Sequence, residues 1–183
     1  MPPAGARLPV GIIGVGVVGP ESEPYQAAYE VAFGLARAGF VILCGGRFGV
    51  MEAACKGAAD AGGTSIGILP GMDLDDANQF ATILLPTDLG SLRDPISKEP
   101  DISRNRVIAS AARCLVAVGG GPGTANEIKH ALLFGKTMFG ICGAPEPEPP
   151  APADPRRPTG RYIRLDSARA AIEHVLSLVD AEE

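Results

Sequence analysis

Long apolar runs and a recognisable export signal are both missing from this chain of 183 residues. No stretch approaches the roughly 18 to 20 consecutive apolar residues that a membrane-spanning helix requires. The opening residues "MPPAGARLP" also lack the apolar core of a secretion signal. We therefore expect a cytoplasmic protein that has no membrane among its partners.

An excess of basic charge is missing as well. The chain carries 16 lysines and arginines against 21 aspartates and glutamates, which gives a formal net charge of −5 at pH 7. Such a chain has no broad positive surface for a phosphate backbone, so we expect no nucleic acid partner. A small anionic ligand is still compatible with this charge balance, because it needs only a local pocket.

Metal-binding side chains are few and scattered. The four cysteines show no C-x-x-C spacing and two of them lie in apolar, strand-like runs, so we predict reduced core residues and no metal site. The two histidines stand alone on predicted helices, where we expect structural or solvent-exposed roles. These residues are Cys44, Cys55, Cys114, Cys142, His130 and His174.

Short apolar runs alternate with longer segments of helical periodicity, which is typical of a parallel sheet covered by helices on both faces. We predict one doubly wound α/β domain over residues 1–183, with a mostly parallel sheet. Strands are predicted at residues 10–15, 40–44, 64–69, 81–85, 114–118 and 137–141, and helices at residues 25–39, 50–62, 103–112, 124–134 and 166–180. Residues 1–8 are expected to be flexible, and residues 145–158 to form an exposed proline-rich loop.

The first predicted strand runs into "GVGVVG", in which Gly14, Gly16 and Gly19 match the G-x-G-x-x-G of dinucleotide-binding turns. That fingerprint also needs a helix directly after the third glycine and an acidic residue at the end of the second strand. Here "PESEPYQ" delays the helix, and the second strand ends in two glycines instead. The pattern therefore favours a flexible strand-to-helix crossover over an NAD site.

Two other loops are unusually rich in glycine, and both follow predicted strands at the sheet edge where α/β proteins bind ligands. One is "CGGRFGVMEAACKG" and the other is "VAVGGGPGTANEI". In the second loop, glycines without Cβ atoms precede a helix N-terminus, which exposes backbone amides for an anion such as phosphate. No Gly-Lys-Ser/Thr follows, so a magnesium-bound triphosphate is not indicated. The proposed anion site consists of Gly119, Gly120, Gly121, Gly123 and Thr124.

Charged residues flank this turn. Glu127 follows Gly123 by one helical turn, where its carboxylate would stabilise positive charge on a ribose during glycosidic cleavage, or would merely complement its own helix dipole. Arg104 and Arg106 lie near the start of the preceding helix, where a cation opposes the helix dipole. Either a bound anion or a solvated surface would account for the arginines. The spacing leaves these alternatives open.

The segments "GGRFGVMEAACKGAADAGGTSIGILPG", "SRNRVI" and "GGGPGTANEI" together resemble the Lonely Guy-like superfamily of Rossmann-like proteins, often mislabelled as lysine decarboxylases. The similarity spans about residues 10–141. One branch contains phosphoribohydrolases that release a purine base from a nucleoside 5′-monophosphate, using an Arg-Lys pair and a P-G-G-x-G-T-x-x-E motif. Matching that motif implies Arg104 and Glu127 as catalytic residues. It places the phosphate on Gly120, Gly121, Gly123 and Thr124.

Two positions depart from the hydrolases: Asn105 stands where they carry lysine, and Gly119 where they carry proline. Both departures, together with Glu52, are similar to a second branch that includes the molybdenum cofactor carrier proteins. Those proteins bind a phosphorylated pterin and need not cleave it. The residues "SLRDPISKEPD" before Arg104 look like an insertion relative to this second branch.

We therefore predict a protein that binds a phosphorylated, nucleotide-like small molecule, either an AMP-like nucleotide or a molybdenum cofactor, with Arg104 as counter-charge. Gly45, Gly46 and Arg47 are expected to form the facing wall. The alternatives are phosphoribohydrolase activity and an interaction module whose proline-rich loop recruits a partner. No additional cofactor is required, and nothing marks the Schiff-base lysine of a decarboxylase. The resemblance also implies a homodimer or homotetramer.

Overall fold

The computed structural model describes residues 8–89, 102–148 and 159–180. The predicted flexible N-terminus lies outside these residues except for Leu8, and so does the inserted segment 91–101. Of the predicted proline-rich loop, residues 149–158 also lie outside them. Within the described ranges, no helix combines the length and apolar character that crossing a membrane requires.

The described ranges form a sheet of seven strands, all parallel, in the order β4-β3-β2-β1-β5-β6-β7, which confirms the predicted α/β class. The strands are β1 (Val10–Gly14), β2 (Ile42–Cys44), β3 (Ser65–Leu69), β4 (Ile83–Pro86), β5 (Cys114–Val118), β6 (Thr137–Ile141) and β7 (Arg161–Arg164). Strands β1 to β4 lie side by side in chain order, and the chain then crosses back so that β5 pairs with the other edge of β1. The direction of the strand order therefore reverses between β1 and β5.

Among the described residues, five α-helices cover the sheet: α1 (Glu23–Arg37), α2 (Val50–Asp60), α3 (Ile102–Ala111), α4 (Pro122–Leu133) and α5 (Ala168–Asp180). One apolar core packs α1, α2 and α5 on one face of the sheet, and a second core packs α3 and α4 on the other. Because both faces are covered, the central strands are almost entirely apolar, which is why they could be predicted from sequence. Three cysteines, Cys44, Cys55 and Cys114, are buried in this interior, and all four cysteines are free.

Local signals explain where several helices begin. Ser22 caps α1 by accepting a hydrogen bond from the Tyr25 amide at 3.4 Å, and Ser167 does the same for Ala170 in α5 at 3.2 Å. The helix at residues 124–134 was predicted two residues too late, because Pro122 already occupies its first turn, where proline is favoured.

Strand β7 was not predicted. Its four residues "RYIR" have exposed arginines at both ends and only half-buried residues between them, so the apolar run that marks a buried strand is missing. It pairs with β6 at the edge of the sheet, for example Met138 with Tyr162. Tertiary pairing rather than local sequence creates this strand.

Candidate functional site

A cleft lies where the strand order reverses, beyond the carboxyl ends of β1 and β5. Diverging connections open a crevice at this position in doubly wound sheets, and ligands bind there. The cleft has a volume of about 280 Å³. It is lined by residues 12–17 of β1 and its following turn, Gly45, Met51, Arg104, Asn105, Gly121, Pro122, Gly123, Thr124 and Glu127.

The first turn of α4 supplies backbone amides to this cleft. Gly121 is the N-cap residue, and no side chain caps the helix. The earliest intrahelical bond runs from the Ala125 amide to the Gly121 carbonyl at 2.9 Å, so the amides of Gly123 and Thr124 have no helical acceptor. Gly121 and Gly123 have open space where a Cβ would stand. The arrangement leaves amides without an intrahelical acceptor, and the positive helix end, beside an accessible volume.

The two preceding glycines shape this turn from outside the cleft lining. Gly119 has φ +54° and Gly120 has φ +132°, conformations that favour glycine. A Cβ on Gly120 would lie 2.4 Å from Thr124 Oγ1, so the chain can fold back onto the helix only without a side chain here. Gly119 and Gly120 thus set the position of the first-turn amides of α4, and do not themselves line the cleft.

Arg104 enters the cleft from α3 and is 9% exposed. Its Nη1 donates to the carbonyl oxygen of Gly45 across 3.4 Å, while its buried Nε has no hydrogen-bond partner among the described residues. A Cβ on Gly45 would lie 3.1 Å from Nη1 and 2.7 Å from Met51 Sδ. Glycine at position 45 therefore lets the guanidinium pack against the loop backbone while one donor stays unused.

Arg106 takes a different position. Its side chain is exposed and its guanidinium carbon lies 5.6 Å from the centre of the Phe134 ring, a cation–π contact on the outside of α3 and α4. It does not line the cleft. Of the two arginines that the sequence offered as counter-charges, the structure brings only Arg104 to the site.

The loop after β2 is held in place by a buried asparagine. Asn78 donates through Nδ2 to the carbonyls of Gly46 at 2.9 Å and Arg47 at 2.8 Å. The Arg47 side chain lies 3.9 Å from Asp76 Oδ1 at the surface. Of the three predicted wall residues, Gly45 lines the cleft, whereas Gly46 and Arg47 do not. Asn78, which the sequence reasoning missed, fixes the loop that carries them.

Glu127 lines the cleft from the second turn of α4 and is 9% exposed. Its position agrees with the spacing argument that placed its carboxylate near a ligand at the α4 N-terminus. Asn105, noted from the sequence only as a departure from the hydrolases, also lines the cleft and is 6% exposed. Its side-chain oxygen is buried and has no hydrogen-bond partner in the described structure.

Glu52 does not reach this cleft. It borders a separate cavity of about 360 Å³ together with Tyr25, Tyr29, Lys56 and other residues. Lys56 Nζ lies 5.3 Å from the centre of the Tyr29 ring in this cavity. Burial, reinforced by the negative charge of Glu52, raises the pKa of Tyr25 above its ordinary value. Glu52 therefore lines a different cavity from the cleft that Arg104 and Glu127 line.

Comparison with known proteins gives this geometry a family context. A protein of uncharacterised function from Archaeoglobus fulgidus is 40% identical over 134 residues, which cover 73% of this chain and 80% of that protein. The molybdenum cofactor binding protein from Rippkaea orientalis superposes with a TM-score of 0.74 at 25% identity, covering 94% of this chain and 98% of that one. The molybdenum cofactor carrier protein from Chlamydomonas reinhardtii gives a TM-score of 0.72 at 29% identity, covering 95% and 99%.

The model of the SLOG cluster4 family matches residues 7–171, which include every described strand and both sides of the cleft. The fold, the strand order and the solved structures agree with that match. The chain belongs to the SLOG cluster4 family of Rossmann-like proteins.

Proposed function

We propose that the cleft binds a phosphorylated, nucleotide-like small molecule, either a nucleoside monophosphate or a ligand of the molybdopterin type. The observation that carries this proposal is the unsatisfied Nε of Arg104, buried in the same cleft as the open amides of the α4 first turn. A buried donor without a partner costs about 1–3 kcal/mol. A phosphate group offers several oxygens that would satisfy both sets of donors at once.

The electrostatics of the cleft support an anion. The first turn of α4 contains no acidic residue, and its dipole adds positive potential. Hydrogen bonds from a guanidinium to an anion each contribute about 1.5–3 kcal/mol, more than bonds between neutral groups. The volume of about 280 Å³ is near the lower end of small-molecule sites and suits a mononucleotide better than a dinucleotide.

The structural relatives support the ligand class. The R. orientalis protein is described as binding the molybdenum cofactor, and the C. reinhardtii protein as carrying it. Nearly the whole of both chains superposes on this one. A phosphorylated pterin and a nucleotide share a planar heterocycle and a phosphate group, which is why one cleft is proposed for either. We further propose a homodimer or homotetramer, which light scattering would test.

Phosphoribohydrolase activity is the second candidate, and the position of Glu127 favours it. Its carboxylate and the Arg104 guanidinium are both largely buried along one cleft. An anion there would stabilise the positive charge that develops on a ribose as its glycosidic bond breaks. Asn105 occupies the position of the hydrolase lysine in the motif resemblance, so the primary proposal is binding without cleavage.

Isothermal calorimetry with AMP, GMP and molybdopterin tests the binding proposal. We expect at least one of them to bind at one site per chain, and we expect Arg104→Ala to weaken that binding strongly. Arg106→Ala is the matched control, because it removes the same charge from the outer side of the same helix. Absence of binding by every phosphorylated compound would remove the proposal.

Incubation with AMP separates binding from hydrolysis. Release of ribose 5-phosphate that disappears in Glu127→Gln would establish the enzyme. Retained AMP affinity without any ribose 5-phosphate would establish the binding protein. AMP affinity and ribose 5-phosphate release are measured on the same preparation. A denatured sample, which would show neither, is then not mistaken for a protein that binds AMP without cleaving it.

A further inference from the structure

Asn105 presents a hydrogen-bond acceptor that no described residue of the protein uses. The side chain is 6% exposed, it lines the cleft, and its Oδ1 is buried without a partner among the described residues. Buried polar atoms in folded proteins are nearly always paired, and the exceptions call for an explanation such as a ligand. The cleft volume beside Asn105 gives such a ligand room.

We propose that Asn105 is a recognition residue whose Oδ1 accepts a hydrogen bond from an N–H or O–H group of the bound ligand. This inference rests on the proposed function, because it concerns the same cleft. An amide oxygen can only accept, so its partner must be a donor. A bare phosphate dianion carries oxygens alone and would leave the Asn105 oxygen unpaired.

Arg104 and Asn105 are thus consecutive residues with opposite requirements. The guanidinium has only donors and calls for ligand oxygens, whereas the Asn105 oxygen calls for a ligand hydrogen. Together they select a phosphorylated compound that also carries a hydroxyl, an amino group or a ring N–H. Sugar phosphates, nucleotides and phosphorylated pterins belong to this class, and simple alkyl phosphates do not.

The lysine that the resembling hydrolases carry at this position would reverse the preference. A lysine ammonium group offers three donors and no acceptor. It would therefore donate hydrogen bonds to ligand oxygens and could not accept one from a ligand N–H or O–H group.

A series of three ligands tests the inference by NMR titration of the full chain. Methyl phosphate carries the dianion without a donor, ribose 5-phosphate adds hydroxyl donors, and GMP adds ring N–H and amino donors. In the wild type, one of the donor-bearing ligands should bind more tightly than methyl phosphate. Asn105→Leu should weaken that ligand roughly three- to tenfold and change methyl phosphate less than about twofold. If Asn105→Leu weakens ribose 5-phosphate, the donor is a sugar hydroxyl. If it weakens only GMP, the donor is a ring N–H or amino group.

Two results would overturn the inference while leaving the proposed function intact. One is an equal loss of affinity for all three ligands in Asn105→Leu, and the other is unchanged affinity for all three. If the wild type binds none of the three ligands, the same comparison is made with molybdopterin, which also carries ring donors. Absence of binding of these ligands and of molybdopterin removes the proposed function, and the role of Asn105 with it. Should Asn105→Leu not fold, as judged by its amide spectrum, Asn105→Ala is expected to show the same selective loss.

Discussion

Arg104 donates to the carbonyl oxygen of Gly45 across 3.4 Å, which ties α3 to the loop after β2 on opposite sides of the cleft. The bond uses one end of the guanidinium, and Nε has no partner in the part of the chain that the structure describes. A residue that is anchored at one end and unsatisfied at the other is already oriented for a ligand. Preorganisation of this kind reduces the ordering cost of binding.

The two arginines of α3 give the first prediction. Arg104→Ala should weaken binding of a phosphorylated ligand by about 10- to 100-fold, since a charged hydrogen bond in a buried site contributes about 1.5–3 kcal/mol. Arg106→Ala should change the affinity less than about twofold, because its guanidinium lies over Phe134. Calorimetry measures both. Equal losses in the two variants would point to general charge attraction in place of a specific contact.

A second prediction separates folding from binding within the glycine turn. Gly123→Ala should leave the free energy of unfolding unchanged or raise it by up to about 1 kcal/mol, because alanine is the better helix former. Its new methyl group has no protein atom within 4 Å and stands at the cleft lining, so ligand affinity should fall. Thermal melting and ligand titration give the two values.

Gly120→Ala provides the contrasting variant. Its Cβ would strike Thr124 Oγ1 at 2.4 Å, and its φ of +132° is unfavourable for alanine. We expect the free energy of unfolding to fall by about 1–3 kcal/mol. A Gly120→Ala protein as stable as the wild type would show that the turn before α4 has another conformation. The proposed arrangement of the α4 amides around an anion would then be contradicted.

The fourth prediction concerns the loop after β2. Asn78→Ala removes the Nδ2 donor to the carbonyls of Gly46 and Arg47 and the Oδ1 acceptor of the Phe80 and Ala81 amides. Because four hydrogen bonds are lost, the free energy of unfolding should fall by about 2–4 kcal/mol. Gln79→Ala, at the exposed neighbouring position, should stay within about 0.5 kcal/mol of the wild type. Chemical denaturation measures both. A small effect in Asn78→Ala would contradict the anchoring role.

The central strands could be predicted because burial on both faces makes each a short continuous apolar run, and the helices because their apolar residues recur at helical spacing. Residue spacing alone could not distinguish Arg104 from Arg106, although the family resemblance pointed to Arg104. Residues two apart on a helix lie about 200° apart around its axis, so only one of them can face a given cleft, and composition does not say which. The structure assigns that face to Arg104.

Two further features depended on contacts between distant segments. The anchor from Asn78 to Gly46 joins residues 32 positions apart, and no local pattern announces it. The unpaired oxygen of Asn105 becomes visible only when every neighbouring side chain is placed. By contrast, the glycines before α4 could be interpreted from sequence, because a run without Cβ atoms before a helix has a direct backbone consequence.

The central claim is that the amides at the start of α4 hold the phosphate of a ligand. The most direct test is an NMR titration of the nitrogen-labelled protein with GMP, following the amides of Gly121, Gly123 and Thr124. We predict large, saturable shifts at these amides and none at Gly62, an exposed glycine with no neighbouring atom within 4 Å of its Cβ position. Saturable binding of GMP that leaves the three α4 amides unshifted would contradict the account.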